Sequence, residues 1–166
     1  MEVLTFIPVH TPEAVSHTAA LADEIWNEHY ASILSAEQIR YMVDTFQSVK
    51  AIHKQLAEQE YRYYLLKADD KILGYTGVQP KDGRLFLSKL YLRQAARGKG
   101  YARRVLAFLS GFCEGAGLSA IWLTVNRHNT DSIAIYQRLG FMKIREQVAE
   151  IGNGYVMDDY IMEKTL

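Results

Sequence analysis

The sequence predicts an α/β protein built on a mixed β-sheet of about seven strands with helices on both faces. Three observations carry this. Helical periodicity dominates up to about residue 58 and gives way to strand-like patterning from Tyr61. A strand–helix–strand run from Arg84 to Asn126 requires a parallel pair, because only a crossover joins parallel strands. Two further strands then flank an Asn153-Gly154 hairpin turn. The chain has 166 residues and no linker, repeat or low-complexity segment, so residues 1–166 are expected to form one domain.

The elements follow in order. Val3 to Val9 is a short β-rich run. Pro12 and Glu13 open a helix in which Ala14, Leu21, Ile25 and Trp26 recur at helical spacing up to about Tyr30. Ser35 with Gln38 three residues on is a capping-box pattern and starts a second helix. A third lies around Val49, Ile52 and Leu56. Tyr61–Ala68, Lys71–Gln79 and Arg84–Leu92 read as an antiparallel meander, with turns at Asp69-Asp70 and Lys81-Asp82-Gly83. A helix is expected over Gly98–Ala116, ended by Gly115 and Gly117. Ser119–Asn126 is apolar on both faces, as a central strand should be. Asn129–Leu139 is the last helix, and Phe141–Ile151 and Tyr155–Lys164 are the last strands.

Composition narrows the function. Apolar residues make up 49% of the chain, enough for a core without metal or disulfide. Lys plus Arg and Asp plus Glu are 19 each, so there is no charge excess to draw nucleic acid or an anionic membrane. The one cysteine, Cys113, sits among Val105, Leu106, Leu109 and Phe112 at helical spacing and reads as a core thiol. The N-terminal MEVLTFIPVH carries Glu2 where a leader peptide has basic residues, and no apolar run is long enough to span a membrane. A cytoplasmic protein is expected.

The chemistry concentrates after the fourth strand. Leu90-Tyr91-Leu92 ends that strand, and Arg97-Gly98-Lys99-Gly100-Tyr101-Ala102 leads into a helix. Unpaired amides and the positive end of the helix dipole favour an anion there. Gly98 and Gly100 let a phosphate approach the backbone, and Arg97 and Lys99 add charge. The same residues also suit an ordinary turn before a surface helix. A nucleoside-triphosphate loop requires Ser or Thr after Gly-Lys, where this chain has Gly100. A dinucleotide loop requires a small residue at position 103, where it has Arg103.

Arg97 to Ala102 matches the Gln/Arg-x-x-Gly-x-Gly/Ala signature of the GNAT superfamily of N-acetyltransferases. Val125 to Phe141 (VNRHNTDSIAIYQRLGF) resembles the second signature of that family: Asn-x-x-Asn, a small residue, Tyr and then Gly-Phe. The resemblance implies a sheet whose fourth and fifth strands splay apart at one end. It implies acetyl-CoA as co-substrate and no metal. The pantetheine arm would pair with Leu90, Tyr91 and Leu92, the diphosphate would rest on the amides of Arg97 to Ala102, and Asn126 and Asn129 would bond the arm or hold the loop. Tyr136 would protonate the leaving thiolate. From spacing alone, Tyr136 reads as a core residue on a face with Ile133 and Leu139, and Asn129 as a helix cap, a role compatible with binding.

In that family some members carry a glutamate base on the fourth strand. Here Phe86, Leu87, Ser88 and Lys89 offer no carboxylate. Water-mediated proton loss, or Glu28 or His29, which also suit a solvated helix face, are the candidates for proton removal, and Trp26 and Tyr30, four residues apart, for an apolar acceptor wall. The helical insert before Tyr61 and the ending from Asp158 to Lys164 resemble bacterial diamine and polyamine acetyltransferases. Asp158, Asp159, Glu146 and Glu150 would attract a cationic amine, although such charges on a final strand are usually just solvated. The expected function is acetyl transfer to a primary amine by direct attack. The alternatives are a non-catalytic acetyl-CoA-binding module, or a protein N-terminal or lysine amine as acceptor. A homodimer is compatible with the sequence.

Overall fold

A computed structural model describes residues 2–166. In chain order these form β1 (Thr5–Pro8), α1 (Pro12–His29), α2 (Ala36–Phe46), α3 (Val49–Glu58), β2 (Arg62–Ala68), β3 (Lys71–Lys81), β4 (Arg84–Leu92), a 3-10 turn (Gln94–Ala96), α4 (Tyr101–Ala116), β5 (Ala120–Asn126), α5 (Thr130–Arg138), β6 (Met142–Gly152) and β7 (Tyr155–Thr165). The seven strands are ordered β1-β2-β3-β4-β5-β7-β6. β1–β2, β2–β3, β5–β7 and β6–β7 pair antiparallel, and β4–β5 pairs parallel. The mixed α/β class and the strand count match the sequence reading.

Local chemistry explains most boundaries. Thr11, Ser35 and Ser48 cap α1, α2 and α3, each side-chain oxygen accepting from an amide three residues on at 3.1 Å. Such a cap contributes about 1 kcal/mol. Three hairpins turn on residue pairs with positive φ: Asp69 and Asp70, Asp82 and Gly83, Asn153 and Gly154. Two adjacent positive φ values give the turn whose twist matches paired strands.

Two boundaries differ from expectation. Val3 is exposed and lies outside β1, which begins at Thr5. The helix expected from Gly98 begins at Tyr101. Gly98 and Gly100 have φ of 74° and 81°, left-handed values that interrupt any α-helix, so residues 98–100 form a turn before it.

The chain forms two compact units, interleaved in sequence. One comprises residues up to Gln79 together with Lys89–Arg104, and its core includes Leu21, Ile25, Ile52 and Leu66. The other comprises Pro80–Ser88 and Val105–Leu166, with Leu85, Leu109, Ile121 and Met162 in its core. Cys113 is buried in the latter, as a core thiol.

The parallel pairing of β4 with β5 is registered only at Leu85–Ile121 and Phe86–Trp122. Beyond that point the end of β4 is held from the β3 side. Arg93 N–H donates to the Leu73 carbonyl at 2.8 Å, and Thr76 Oγ1 donates to the Lys89 carbonyl at 2.7 Å. Gly74 makes this approach possible: a Cβ there would lie 2.0 Å from the Tyr91 carbonyl oxygen. Gly74→Ala is therefore expected to destabilise the protein by at least about 2 kcal/mol in urea denaturation, because backbone rather than a flexible side chain must move.

Candidate functional site

The glycine turn is open. An added Cβ at Gly98 or Gly100 would meet no atom within 4 Å. Arg97 folds back, its Nε donating to the Leu92 carbonyl at 3.1 Å, while its Nη2 is buried with no hydrogen-bond partner. A buried guanidinium nitrogen without an acceptor is costly in the chain alone and suits an anion. Lys99 is exposed. The Tyr101 side chain is buried and its hydroxyl donates to the Glu2 carboxylate, so that phenol is engaged within the chain, and Tyr101 and Ala102 form the first turn of α4.

Leu90, Tyr91 and Leu92 are each half-buried at the end of β4. Tyr91 gathers three of the predicted acceptor residues. Its hydroxyl lies 3.2 Å from that of Tyr30, and its ring centroid is 5.4 Å from Trp26 and 6.1 Å from His29. The Trp26 and Tyr30 rings lie 4.5 Å apart, tilted by 38°, at the C-terminal end of α1. Trp26 is only 4% exposed, so it forms the floor of this cluster. Glu28 is exposed and lies instead in a shallow depression with Glu24, Arg93, Gln94 and Ala95.

Lys89 is assigned no role by the sequence alone. It is 6% exposed, on the same face of β4 as Tyr91. Its Nζ donates to Gln55 Oε1 at 2.8 Å and to the Tyr63 hydroxyl. It lies 4.9 and 5.0 Å from the Tyr61 and Tyr63 ring centroids. No carboxylate pairs with it among the described residues, and burial pushes its pKa down to about 7.

The second signature sits in the other unit. Asn126 is buried at the end of β5, its Oδ1 accepting from the His128 amide at 2.9 Å and its carbonyl from the Asn129 amide at 2.9 Å. Asn129 caps α5 through a long contact to the Ser132 amide, 3.4 Å. Both hold the β5–α5 turn. α5 has no buried residue, so the core-face reading of Tyr136 does not describe it. Tyr136 is half-buried, its ring edge-on to Phe141 at 5.4 Å.

Of the four acids noted on β6 and β7, Glu146, Glu150 and Asp158 have solvent contact, and Glu146 and Asp158 pair with Arg127 at 3.0 and 2.8 Å. Asp159 is buried, contrary to a solvated strand charge. No group of three or more His, Cys, Asp or Glu among the described residues is placed to hold a metal ion.

Residues 19–141 match the Acetyltransferase (GNAT) family, and the chain belongs to that family. It is 30% identical over 91 residues, 54% of its length, to the [ribosomal protein bS18]-alanine N-acetyltransferase of Haemophilus ducreyi, of which the match spans 63%. It is 26% identical to an uncharacterised N-acetyltransferase of Mycobacterium bovis, over 80% of this chain and 85% of that one. The fold is shared with the PaiA N-acetyltransferase of Thermoplasma acidophilum, solved in complex with coenzyme A. The TM-score there is 0.80 at 21% identity, covering 99% of each chain. The family and the fold implied by the two signatures are therefore established.

Lys89 leads to a test of the site's electrostatics. Its folded pKa of about 7 lies below the ordinary 10.5. Between these values the unfolded chain binds more protons, so stability rises as pH increases from about 7 toward 10. Urea denaturation at pH 7 and pH 9 should show wild-type stability increasing by on the order of 2 kcal/mol. Lys89→Met should abolish that increase.

Proposed function

We propose that this chain is an N-acetyltransferase that moves the acetyl group of acetyl-CoA to a primary amine, attacked directly while both substrates are bound. The observation that carries the reading is the end of β4. The parallel register with β5 falls earlier in the strand, at Leu85 and Phe86, and Leu90 to Leu92 are held by β3. They run into an open glycine turn whose Arg97 has a buried, unpartnered nitrogen. An extended, amide-bearing arm ending in a diphosphate fits this combination: the strand edge takes the amides, and the turn takes the charge.

In this reading the Arg97–Ala102 backbone holds the diphosphate, Leu90 to Leu92 orient the arm, and Asn126 and Asn129 shape the turn into α5. Tyr136 supplies a proton to the thiolate as the carbon–sulfur bond breaks. Trp26, Tyr30, His29 and Tyr91 form an apolar wall for the acceptor's carbon chain. The acceptor is a small amine, with diamines and polyamines the first to test. The H. ducreyi relative is named for N-acetylation of an alanine of ribosomal protein bS18, which makes a peptide amine the second class.

Two experiments test the proposal. Acetyl-CoA at millimolar concentration should raise the melting temperature by mass action, and pantetheine should do so much less. Thiol release should appear with at least one of 1,4-diaminobutane, spermidine and an alanine-initiated tetrapeptide. Absence of both signals rejects the reading. Tyr136→Phe retains the ring against Phe141 and removes the proton. It should lower kcat by about tenfold to a thousandfold with acetyl-CoA affinity nearly unchanged. Unchanged kcat would make Tyr136 structural.

A further inference from the structure

Asp159 lies on β7, opposite Asn126 of β5 and Gln147 of β6. It is 7% exposed, and its Oδ1 is buried without a hydrogen-bond partner. Strand alternation sends its neighbour Asp158 to the opposite face, where Arg127 lies 2.8 Å away. Arg127 is also 3.0 Å from Glu146, so the one nearby guanidinium serves two other acids. No cation of the chain pairs with Asp159 among the described residues.

A buried carboxylate oxygen left unsatisfied is rare, because the chain loses its hydration and gains nothing in return. The contrast with Lys89 is direct. That buried ammonium has an amide oxygen, a phenol and two aromatic faces around it, whereas Asp159 Oδ1 has nothing. A partner that carries N–H donors and positive charge would satisfy it. Such a partner must also reach the end of β5, beside the turn that leads to α5 and Tyr136.

We propose that Asp159 receives the ammonium group of the acceptor and takes its proton, so that it is the catalytic base of the transfer. This rests on the reading of the chain as an amine acetyltransferase. R–NH3+ and the Asp159 carboxylate give R–NH2 and the carboxylic acid. The nitrogen lone pair then forms the carbon–nitrogen bond at the thioester carbonyl. The carbon–sulfur bond breaks with its electron pair on sulfur. The second N–H proton is lost as the amide forms, and the thiolate is protonated. Asp159 returns its proton to solvent, so each turnover releases one proton overall. The assignment supplies the base that β4, with Phe86 to Lys89, lacks. Burial, reinforced by Asp158, pushes the Asp159 pKa up to about 6, which suits a base working near neutrality.

The charged or titratable groups on neighbouring elements are Asp158 and Tyr160 on β7, Arg127 and His128 after β5, and Glu146 on β6. The test is Asp159→Asn in the full chain, with acetyl-CoA and whichever of 1,4-diaminobutane, spermidine and the alanine tetrapeptide the wild type acetylates. Wild-type kcat/KM should fall as pH drops through about 6. D159N should lose about a hundredfold or more in kcat/KM and lose that acid limb, while retaining acetyl-CoA affinity. Its melting temperature should not fall, since an unpaired buried charge is removed. His128→Gln should retain the limb. Unchanged kcat/KM with the acid limb intact in D159N overturns the proposal, as does loss of the limb in H128Q. Should D159N fail to fold, Asp159→Ser with added formate replaces it: recovery of turnover by formate supports the base, and no recovery overturns it. A wild type that neither binds acetyl-CoA nor acetylates any amine points instead to failure of the underlying reading.

Discussion

The structure depends on a sheet that stops pairing partway along β4. Parallel pairing with β5 is registered at Leu85 and Phe86 and not beyond. A strand end in mid-sheet would normally be a liability, since backbone groups that lose a ladder partner must find another. The chain secures β4 from one side only. Gly74 lets the backbone of β3 come close to Tyr91, Leu73 and Thr76 pin the strand, and Arg97 returns to the Leu92 carbonyl. The glycine turn follows at once, so the proposed reading places the arm and the diphosphate of one ligand on adjacent residues of one local arrangement.

The two buried, carboxylate-free or cation-free charges show how burial alone does not define a functional residue. Lys89 and Asp159 are equally hidden, and burial moves each toward its neutral form. They differ in satisfaction. Lys89 sits in a cage made by α3 and β2, where Gln55 and Tyr63 take its hydrogens and two rings face its charge. That is a structural solution, costly but complete. Asp159 has no such cage, and incompleteness is what separates a binding group from a packed one.

Much of the fold was legible because its signals are local. The caps at Thr11 and Ser35, the Asp69-Asp70 and Asn153-Gly154 turns and the β4–α4–β5 crossover each follow from a few adjacent residues. The start of α4 was misplaced because Gly98 and Gly100 read equally as helix start or left-handed turn, and only φ decides. Asp159 was one of four acids the sequence offered, but its burial could not be read there, because it depends on pairing with Asn126, thirty-three residues away. Its signal was present in one respect: consecutive acids on a strand must face opposite ways, so Asp158-Asp159 could not both be solvated on one face. The Tyr91 cluster was half legible. Trp26 and Tyr30 share a helix face by spacing, but nothing local brings β4 to them.

The helix that carries Tyr136 completes the physical picture. α5 spans nine residues, buries none of them, and has only a long cap contact at Asn129. Isolated helices of this length are marginal in water. Its order comes from its ends: the Asn126 turn before it, and after it the Phe141 amide donating to the Tyr136 carbonyl at 3.0 Å. Phe141 itself is buried and packs against the Tyr136 ring. The tyrosine is thus held through its backbone and by its ring edge against Phe141. Elements of low intrinsic stability are where proteins keep groups that must meet a ligand. A helix anchored at its ends and not by a buried face fits the role proposed for Tyr136, a phenol that meets the departing sulfur from outside the core.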